Sequence, residues 1–243
     1  MKGIRKNLKT FFIENGFRKT GSCYFKNIRN DEYLVFQIYK EKNYRYIDND
    51  ETDVPHIIAI DFPAYDVEMC VTRLNDEKDV IYTNFDSCLS AVSGIPKKNW
   101  VKTSPERENE IINEIKGAIK KACLEPLFEN KGSLYDYIMS IFKIQKIYVN
   151  DSNILQIIKF AIDEKRYAEA FLWFKYYFID KAFEQDFSKI SFSADELMFV
   201  DNMEFLQETD KKLQQSIENY MYLDVKDYIK TLYLTVKTAL DII

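Results

Sequence analysis

The stretch ENGFRKTGSCYFKNIRNDEYLVFQIYK, residues 14–40, decides the fold of the N-terminal half of this chain. It contains the end of a basic helix, a turn flanked by glycines, and two runs rich in aromatic and β-branched residues, at 23–25 and 33–39. Such residues favour strands, and the polar segment 27–32 between the two runs favours a turn. The stretch therefore predicts a β-hairpin that follows a helix.

Residues 3–14, which lead into this stretch, predict an amphipathic helix because their apolar and basic residues separate at helical spacing. The apolar side carries Ile4, Leu8, Phe11 and Phe12. The basic side carries Lys2, Arg5, Lys6 and Lys9. Gly16 suits the left-handed conformation that often follows the last turn of a helix. In the second strand, Leu34, Phe36 and Ile38 share one face, and we expect that face to pack against the helix.

The residues that follow predict more strands and then helices only. Residues 57–62 read as a third strand, and the runs 67–71 and 80–83 read as a second hairpin. Thr103-Ser104-Pro105-Glu106 has the pattern of a helix start, and we expect the long helix that follows to end at Pro126. Further helices are predicted at 133–147, 152–163, 166–182, 193–208, 210–222 and 225–242.

The predicted fold class is therefore α+β. An N-terminal helix, an antiparallel meander of four to five strands and a long helix form one domain, residues 1–130. An all-helical extension or domain occupies residues 131–243. The segments 152–163 and 166–182 are expected to form an antiparallel helical hairpin.

Composition limits the class of protein further. The chain has 243 residues, 47% of them hydrophobic and 15% aromatic, which is typical of a globular protein with a substantial core. We see no apolar run long enough to span a membrane and no signal-peptide pattern, so a soluble, cytoplasmic protein is expected. The four cysteines do not have the spacing of a zinc site, and no cofactor is predicted.

The stretch 16–26 and the strand 35–40 resemble a bacterial family of domains of unknown function, the family numbered 4304. The shared features are a helix, a turn with the order Gly-Phe-basic-basic-x-Gly, an aromatic strand ending in a basic residue, and a strand ending near Gln-x-x-Lys. The resemblance covers residues 1–130 and implies a fold without implying an activity. This chain has Trp100-Val101 where members often have a Trp pair, and its helical extension is longer than expected.

Charge suggests two surfaces for a partner. Residues 1–30 are strongly basic, and Arg5, Lys9, Arg18 and Lys19 are candidates for binding an anionic partner. The sequence pI of about 5.2 argues against nucleic acid as that partner. Residues 151–243 hold the excess of acidic side chains and many tyrosines. The candidates there are Glu204, Glu208, Asp210, Tyr220 and Tyr222.

The sequence has one histidine and six glycines and no phosphate-binding loop, so we do not predict catalysis. The predicted function is binding of another protein, in the manner of an antitoxin or immunity protein that neutralises a basic toxin. One alternative is a metal-dependent hydrolase or nuclease that uses Asp61, Asp66 and Glu68, which follow the third predicted strand. Another is a structural or assembly subunit, and the oligomeric state stays open.

Overall fold

The structure is a computed structural model that describes residues 2–29, 32–41, 45–48, 56–59, 63–73, 85–89, 93, 95, 97–130, 132–143, 151–180, 192, 194–221 and 223–242. The chain divides into two compact units. Unit 1 consists of Met1–Asn75 and Asp86–Glu129, and unit 2 consists of Asp76–Phe85 and Asn130–Ile243. The predicted α+β class is confirmed, since strands and helices mix before residue 130 and the described part of the chain beyond it is mostly helical.

Unit 1 begins with a helix and continues with short and long strands. The strands and helices up to its end are α1 (Lys2–Glu14), β1 (Arg18–Thr20), β2 (Cys23–Arg29), β3 (Glu32–Glu41), β4 (Arg45–Asp48), β5 (His56–Ala59), β6 (Ala64–Arg73), β7 (Phe85–Cys88), a 3₁₀ turn (Lys97–Trp100), α2 (Arg107–Ile119), a π-turn (Lys120–Leu124) and α3 (Glu125–Glu129). The predicted hairpin is present as β2 and β3, and the short strand β1 was not predicted.

The main sheet has the strand order β1-β2-β3-β6-β7. Strands β1, β2, β3 and β6 pair with their neighbours antiparallel, and β3 pairs with β6 along its whole length, from Glu32 opposite Arg73 to Glu41 opposite Ala64. The third predicted strand is not the neighbour of β3, because β5 instead pairs with β4 in a separate two-stranded sheet. Periodicity identifies a strand but carries no information about its partner, which explains this error. The predicted strand at 80–83 lies outside the described residues.

Phe12 is the centre of the core that joins α1 to the sheet. Its side chain is fully buried, and its ring stacks on Tyr24 at a centroid distance of 4.4 Å. The rings of Phe17 and Phe36 lie 5.3 Å from it. These contacts connect the helix, the turn and two strands, and Leu34, Phe36 and Ile38 are all buried on the predicted face.

The turn after α1 has the predicted geometry. Gly16 adopts φ of +82°, and the Phe17 amide donates a hydrogen bond to the Phe12 carbonyl at 3.0 Å. This bond closes the end of the helix in the manner of a Schellman motif. It also directs the chain back, so that Phe17 packs on the ring of Phe12.

The long helix of unit 1 does not end at Pro126, contrary to the prediction. It begins at Arg107 without a side-chain cap and continues through the π-turn into α3, which ends at Glu129. A proline inside an α-helix loses one hydrogen bond and clashes with the carbonyl four residues earlier. In the π-turn the Glu125 amide bonds to the Lys120 carbonyl, so the bonding pattern has already shifted when the chain reaches Pro126.

The described part of unit 2 beyond residue 130 is built mainly from helices. They are α4 (Leu134–Lys143), α5 (Asp151–Asp163), α6 (Tyr167–Phe178), α7 (Ala194–Phe199), α8 (Met203–Glu218) and α9 (Leu223–Ala239). The predicted hairpin of α5 and α6 is present, and the two helices pack on each other. The predicted helix 193–208 is instead broken, because Asn202 caps α8 by accepting hydrogen bonds from the amides of Glu204 and Phe205.

Glu164, in the turn after α5, links the helices of unit 2. One of its carboxylate oxygens accepts a bond from the Leu134 amide at 2.7 Å, and the other accepts a bond from the Ser133 hydroxyl at 2.7 Å. A carboxylate at this position satisfies orphan amides at the start of α4 and complements the helix dipole. Trp173 adds a second link by donating from Nε1 to the Tyr135 hydroxyl at 3.0 Å.

None of the helices in the described part of the chain combines the length and the apolarity needed to cross a lipid bilayer.

We predict that Phe12→Ala lowers the free energy of unfolding of unit 1 by roughly 3–5 kcal/mol, because it empties the centre of the core. Denaturant unfolding followed by circular dichroism measures this change. Ile13→Ala is the matched control, since Ile13 is the next residue of the same helix and 48% exposed. A similar loss in both variants would contradict the central role of Phe12.

Candidate functional site

A groove of about 780 Å³ lies in unit 1 beside α1 and the first three strands, and we call it the basic groove. Five cationic side chains line it, namely Arg5, Lys6, Lys9, Lys19 and Lys40. The other lining residues are Gly21, Ser22, Tyr24, Gln37, Ile38 and Tyr39. The described lining therefore contains five cationic side chains and no carboxylate.

The helical wall of the groove follows from the amphipathic pattern of α1. Ile4 and Leu8 are buried against the core, which turns Arg5, Lys6 and Lys9 outward. Arg5 and Lys9 are four residues apart and therefore lie on one face of the helix.

The strand wall follows from the alternation of side chains in β1. Lys19 pairs with Tyr24 of β2 and shares its face, whereas the neighbouring Arg18 pairs with Phe25 and points to the opposite face. The structure thus brings together Arg5, Lys9 and Lys19 of the predicted candidates, and it places Arg18 outside the groove.

Lys40 and Lys6 complete the groove and were not among the predicted site residues. Lys40 lies on the same face of β3 as Leu34, Phe36 and Ile38, which is the face that packs against α1. The alternation of side chains along β3 could have identified Lys40, because it lies two residues after Ile38 on the same face.

Lys19 is held in place by the turn that follows it. Its ammonium group donates a hydrogen bond to the Gly21 carbonyl. Gly21 adopts a φ of +58°, a backbone conformation that residues other than glycine rarely adopt. A cation anchored in this way keeps two further N–H donors for a ligand.

Tyr24 connects the groove to the core. The side chain is 3% exposed, and its ring stacks on Phe12 while it also lines the groove. Burial raises the pKa of the Tyr24 phenol, and the positive charge of Arg5 opposes this shift in part. Because the phenol stays protonated at neutral pH, its hydroxyl can donate a hydrogen bond to an anion.

Lys26 belongs to the same basic stretch but has a structural role. Its ammonium group donates to the Asn15 carbonyl at 2.7 Å and lies 5.4 Å from the ring centroids of Phe17 and Phe128. Burial lowers the pKa of Lys26.

The acidic candidates of unit 2 do not form one exposed face. Glu204 and Glu208 are exposed on α8 as expected. Asp210 is buried, so its selection as a surface residue was wrong. Tyr220 is partly buried and packs edge to face on Phe178 at 5.7 Å, and Tyr222 lies outside the described residues.

Asp210 is the centre of a buried polar cluster. Its carboxylate accepts hydrogen bonds from the Tyr233 hydroxyl at 2.7 Å, from Lys237 Nζ at 2.8 Å and from Gln214 Nε2 at 2.8 Å. Burial raises the pKa of Asp210, but the bonds from Lys237, Gln214 and Tyr233 outweigh burial and hold the pKa below its usual range. The cluster keeps Asp210 ionised and joins α8 to α9.

A second cavity of about 600 Å³ lies in unit 2 between α8 and α9. Its charged lining residues already have protein partners, since Lys230 pairs with Glu218 and Lys237 pairs with Asp210. The remaining lining is mixed, and this cavity has no excess of one charge comparable to that of the basic groove.

The alternative metal site was predicted from three carboxylates, and the two that the structure describes differ in burial. Asp66 is buried in β6 and accepts a bond from the Val67 amide at 2.8 Å, whereas Glu68 is exposed. Asp61 lies outside the described residues. Among the described residues, no group of three or more His, Cys, Asp or Glu side chains is placed to hold a metal ion.

Comparison with known proteins finds no matching family model, no matching curated protein and no matching solved structure.

We predict that Asp210→Asn destabilises unit 2 by roughly 1–3 kcal/mol at pH 7, because it removes the negative charge that accepts the hydrogen bond from Lys237. The lowered pKa of Asp210 means that its stabilising effect is present above the pKa of the unfolded chain and is lost as pH falls through the folded-state pKa. The difference between wild type and variant should therefore shrink below about pH 4. Denaturant unfolding at pH 7, 5, 4 and 3 measures it.

Glu208→Gln is the control for this prediction, since Glu208 is exposed and its ion pair with Lys212 spans one turn of the same helix. It should leave the midpoint of unfolding unchanged. A difference between Asp210→Asn and wild type that stays constant from pH 7 to pH 3 would show that the charge of Asp210 does not stabilise the fold.

Proposed function

We propose that the protein is a non-catalytic binding protein that takes an acidic region of another protein into the basic groove. The observation that carries this proposal is the set of five cationic side chains around one cavity whose described lining has no carboxylate. Ammonium and guanidinium groups, with the hydroxyl groups of Ser22 and Tyr24, are donors that match carboxylate oxygens.

Charge favours an acidic protein over nucleic acid as the partner. The net charge of the chain is −5, so an extended polyanion that continues beyond the groove meets repulsion from the rest of the surface. A short acidic segment lies within the roughly 8 Å over which the groove cations act at physiological salt. The groove therefore suits a local cluster of carboxylates better than a long phosphate backbone.

The antitoxin or immunity role remains part of this proposal, but local ion pairs and burial weaken the support that the acidic candidates on α8 give it. Lys212 pairs with Glu208 at 2.8 Å, and Lys226 and Lys230 both pair with Glu218. Asp210 is buried. These acidic side chains of α8 are therefore paired or buried within unit 2, and any excess negative charge that a basic toxin meets must come from other residues of the unit.

The order of α1, the Gly16 turn, β2 and β3 supports membership in the bacterial family numbered 4304, which we retain as a proposal together with a cytoplasmic location. A metal-dependent hydrolase and an assembly subunit remain alternatives that no described contact favours.

We predict that Lys19→Gln weakens binding of a ten-residue poly-glutamate peptide by about three- to fivefold, whereas Arg18→Gln changes it by less than twofold. Both variants remove one positive charge from adjacent exposed residues, but only Lys19 lines the groove. Isothermal titration calorimetry at low salt, repeated at higher salt, measures both affinities.

Equal weakening in the two variants would show that net charge and not the groove determines affinity. A single-stranded oligonucleotide of equal charge serves as the competing ligand. If it binds more tightly than poly-glutamate and responds to Lys19→Gln, the partner is nucleic acid and the proposed function is wrong.

A further inference from the structure

We propose that an exposed apolar patch of unit 2 binds a segment of a partner protein in which apolar side chains are flanked by lysine or arginine. The patch consists of Met198, Phe199 and Met203, and we call it the methionine patch. It lies at the corner where α7 ends and α8 begins. This second binding surface goes beyond the proposed function, which concerns an acidic ligand and the basic groove of unit 1.

The methionine patch stands out by its exposure. Met198 is 68% exposed, Phe199 is 52% exposed and Met203 is 46% exposed. Seven large apolar side chains are exposed among the described residues, and three of the seven lie within the six positions 198–203. Single exposed apolar residues are normal on a protein surface, whereas clustered ones are typical of interaction sites.

Hydrogen bonds at the corner hold the three side chains near one another. The amides of residues 200–202 each donate to the carbonyl three residues earlier, at 3.0–3.2 Å. Such a turn keeps Cα atoms three residues apart within about 7 Å, so the Cα atoms of Phe199 and Met203 are at most about 11 Å apart. The Phe199 ring also packs on Phe205 of α8, with ring centroids 5.8 Å apart. One ligand can therefore contact the whole patch.

The charge around the methionine patch indicates the chemistry of the partner. Residues 194–210 contain six acidic residues and no basic residue. Asp195, Asp201 and Glu204 are exposed, and Asp195 lies three residues before Met198, on the same face of α7. A ligand that covers the patch brings its flanking side chains near these carboxylates. Lysine or arginine is favoured at those positions, and aspartate or glutamate is repelled.

The methionine side chains themselves favour a protein segment as the ligand. Methionine is unbranched and polarizable, so it adapts its shape to aliphatic and aromatic side chains of different sizes. An anionic membrane surface would meet the carboxylates of the rim and be repelled. A second copy of this chain has a basic helix, α1, but the apolar side chains of that helix, such as Leu8 and Phe12, are buried in unit 1. That helix cannot present apolar and basic side chains together.

The test measures binding of a fourteen-residue peptide of leucine and lysine by isothermal titration calorimetry at physiological salt. A peptide with serine in place of every leucine has the same charge and is the control ligand. We expect the leucine-lysine peptide to bind at least tenfold more tightly, because only its side chains can bury the methionine patch. Equal affinities of the two peptides, or no binding of either, would overturn the proposal.

Variants of the patch and of its acidic rim test where the peptide binds. Met203→Gln should weaken binding of the leucine-lysine peptide about fivefold, because glutamine has a similar length but is polar. Glu204→Gln should weaken it about two- to threefold, because it removes one charge of the rim. Lys19→Gln should leave it unchanged, so a failure here is distinct from a failure of the proposed function at the basic groove.

Met221→Gln and Asp227→Asn are the matched controls, since both residues are exposed in unit 2. They lie at the other end of α8, a helix of 16 residues that is about 24 Å long. Met221 follows the last turn of α8, and Lys226, the neighbour of Asp227, pairs with Glu218 in that turn at 3.0 Å. If the controls weaken binding as much as Met203→Gln and Glu204→Gln, the peptide does not bind at the methionine patch.

Two further measurements distinguish the other occupants. Analytical ultracentrifugation compares wild type with Met203→Gln, and a wild-type dimer that the variant dissociates would assign the patch to self-association. Vesicles of phosphatidylcholine and phosphatidylglycerol test a membrane, and vesicle binding that Met203→Gln abolishes would assign the patch to lipid. Either result would overturn the proposal. We expect the same sedimentation for both proteins and no vesicle binding that depends on Met203.

Discussion

The stacking of Phe12 on Tyr24 is the contact on which unit 1 depends. Phe12 lies on α1 and Tyr24 on β2, and their ring centroids are 4.4 Å apart. Phe17 and Phe36 pack on the same Phe12 ring. Aromatic pairs of this kind add to the hydrophobic effect of burial and also restrict orientation. They determine where the helix lies on the sheet, and therefore how far apart the two walls of the basic groove are.

The groove is a consequence of that packing. A helix that buries one apolar face must present its polar face outward, and in α1 that face is basic. Tyr24 contributes to both the core and the groove lining. The cations that line the groove from α1 therefore come from the same amphipathic pattern that stabilises the fold.

In unit 2, several acidic side chains form hydrogen bonds and ion pairs within the unit. Glu164 satisfies amides at the start of α4, and Asp210 holds three donors from α8 and α9. Glu208 and Glu218 pair with lysines on the surface. These four acidic residues thus connect helices or pair with lysines. Which acidic side chains a partner can reach therefore depends on burial and local pairing, which the net charge of a sequence does not show.

The sequence by itself determined the α+β class, the helix α1 with its Gly16 turn, the β2–β3 hairpin and the buried face of β3. Local rules decide these features: helical and strand periods, and the conformational freedom of glycine. The concentration of basic residues in 1–30 also predicted Arg5, Lys9 and Lys19 as candidates for binding an anionic partner.

Only the tertiary structure decided which strands are neighbours, that the helix continues past Pro126, that Asp210 is buried, and that Arg18 lies outside the groove while Lys40 lies inside it. Each of these depends on contacts between residues far apart in the chain or on a change in hydrogen-bond pattern. Sequence periodicity assigns a side chain to a face, but packing decides what that face meets.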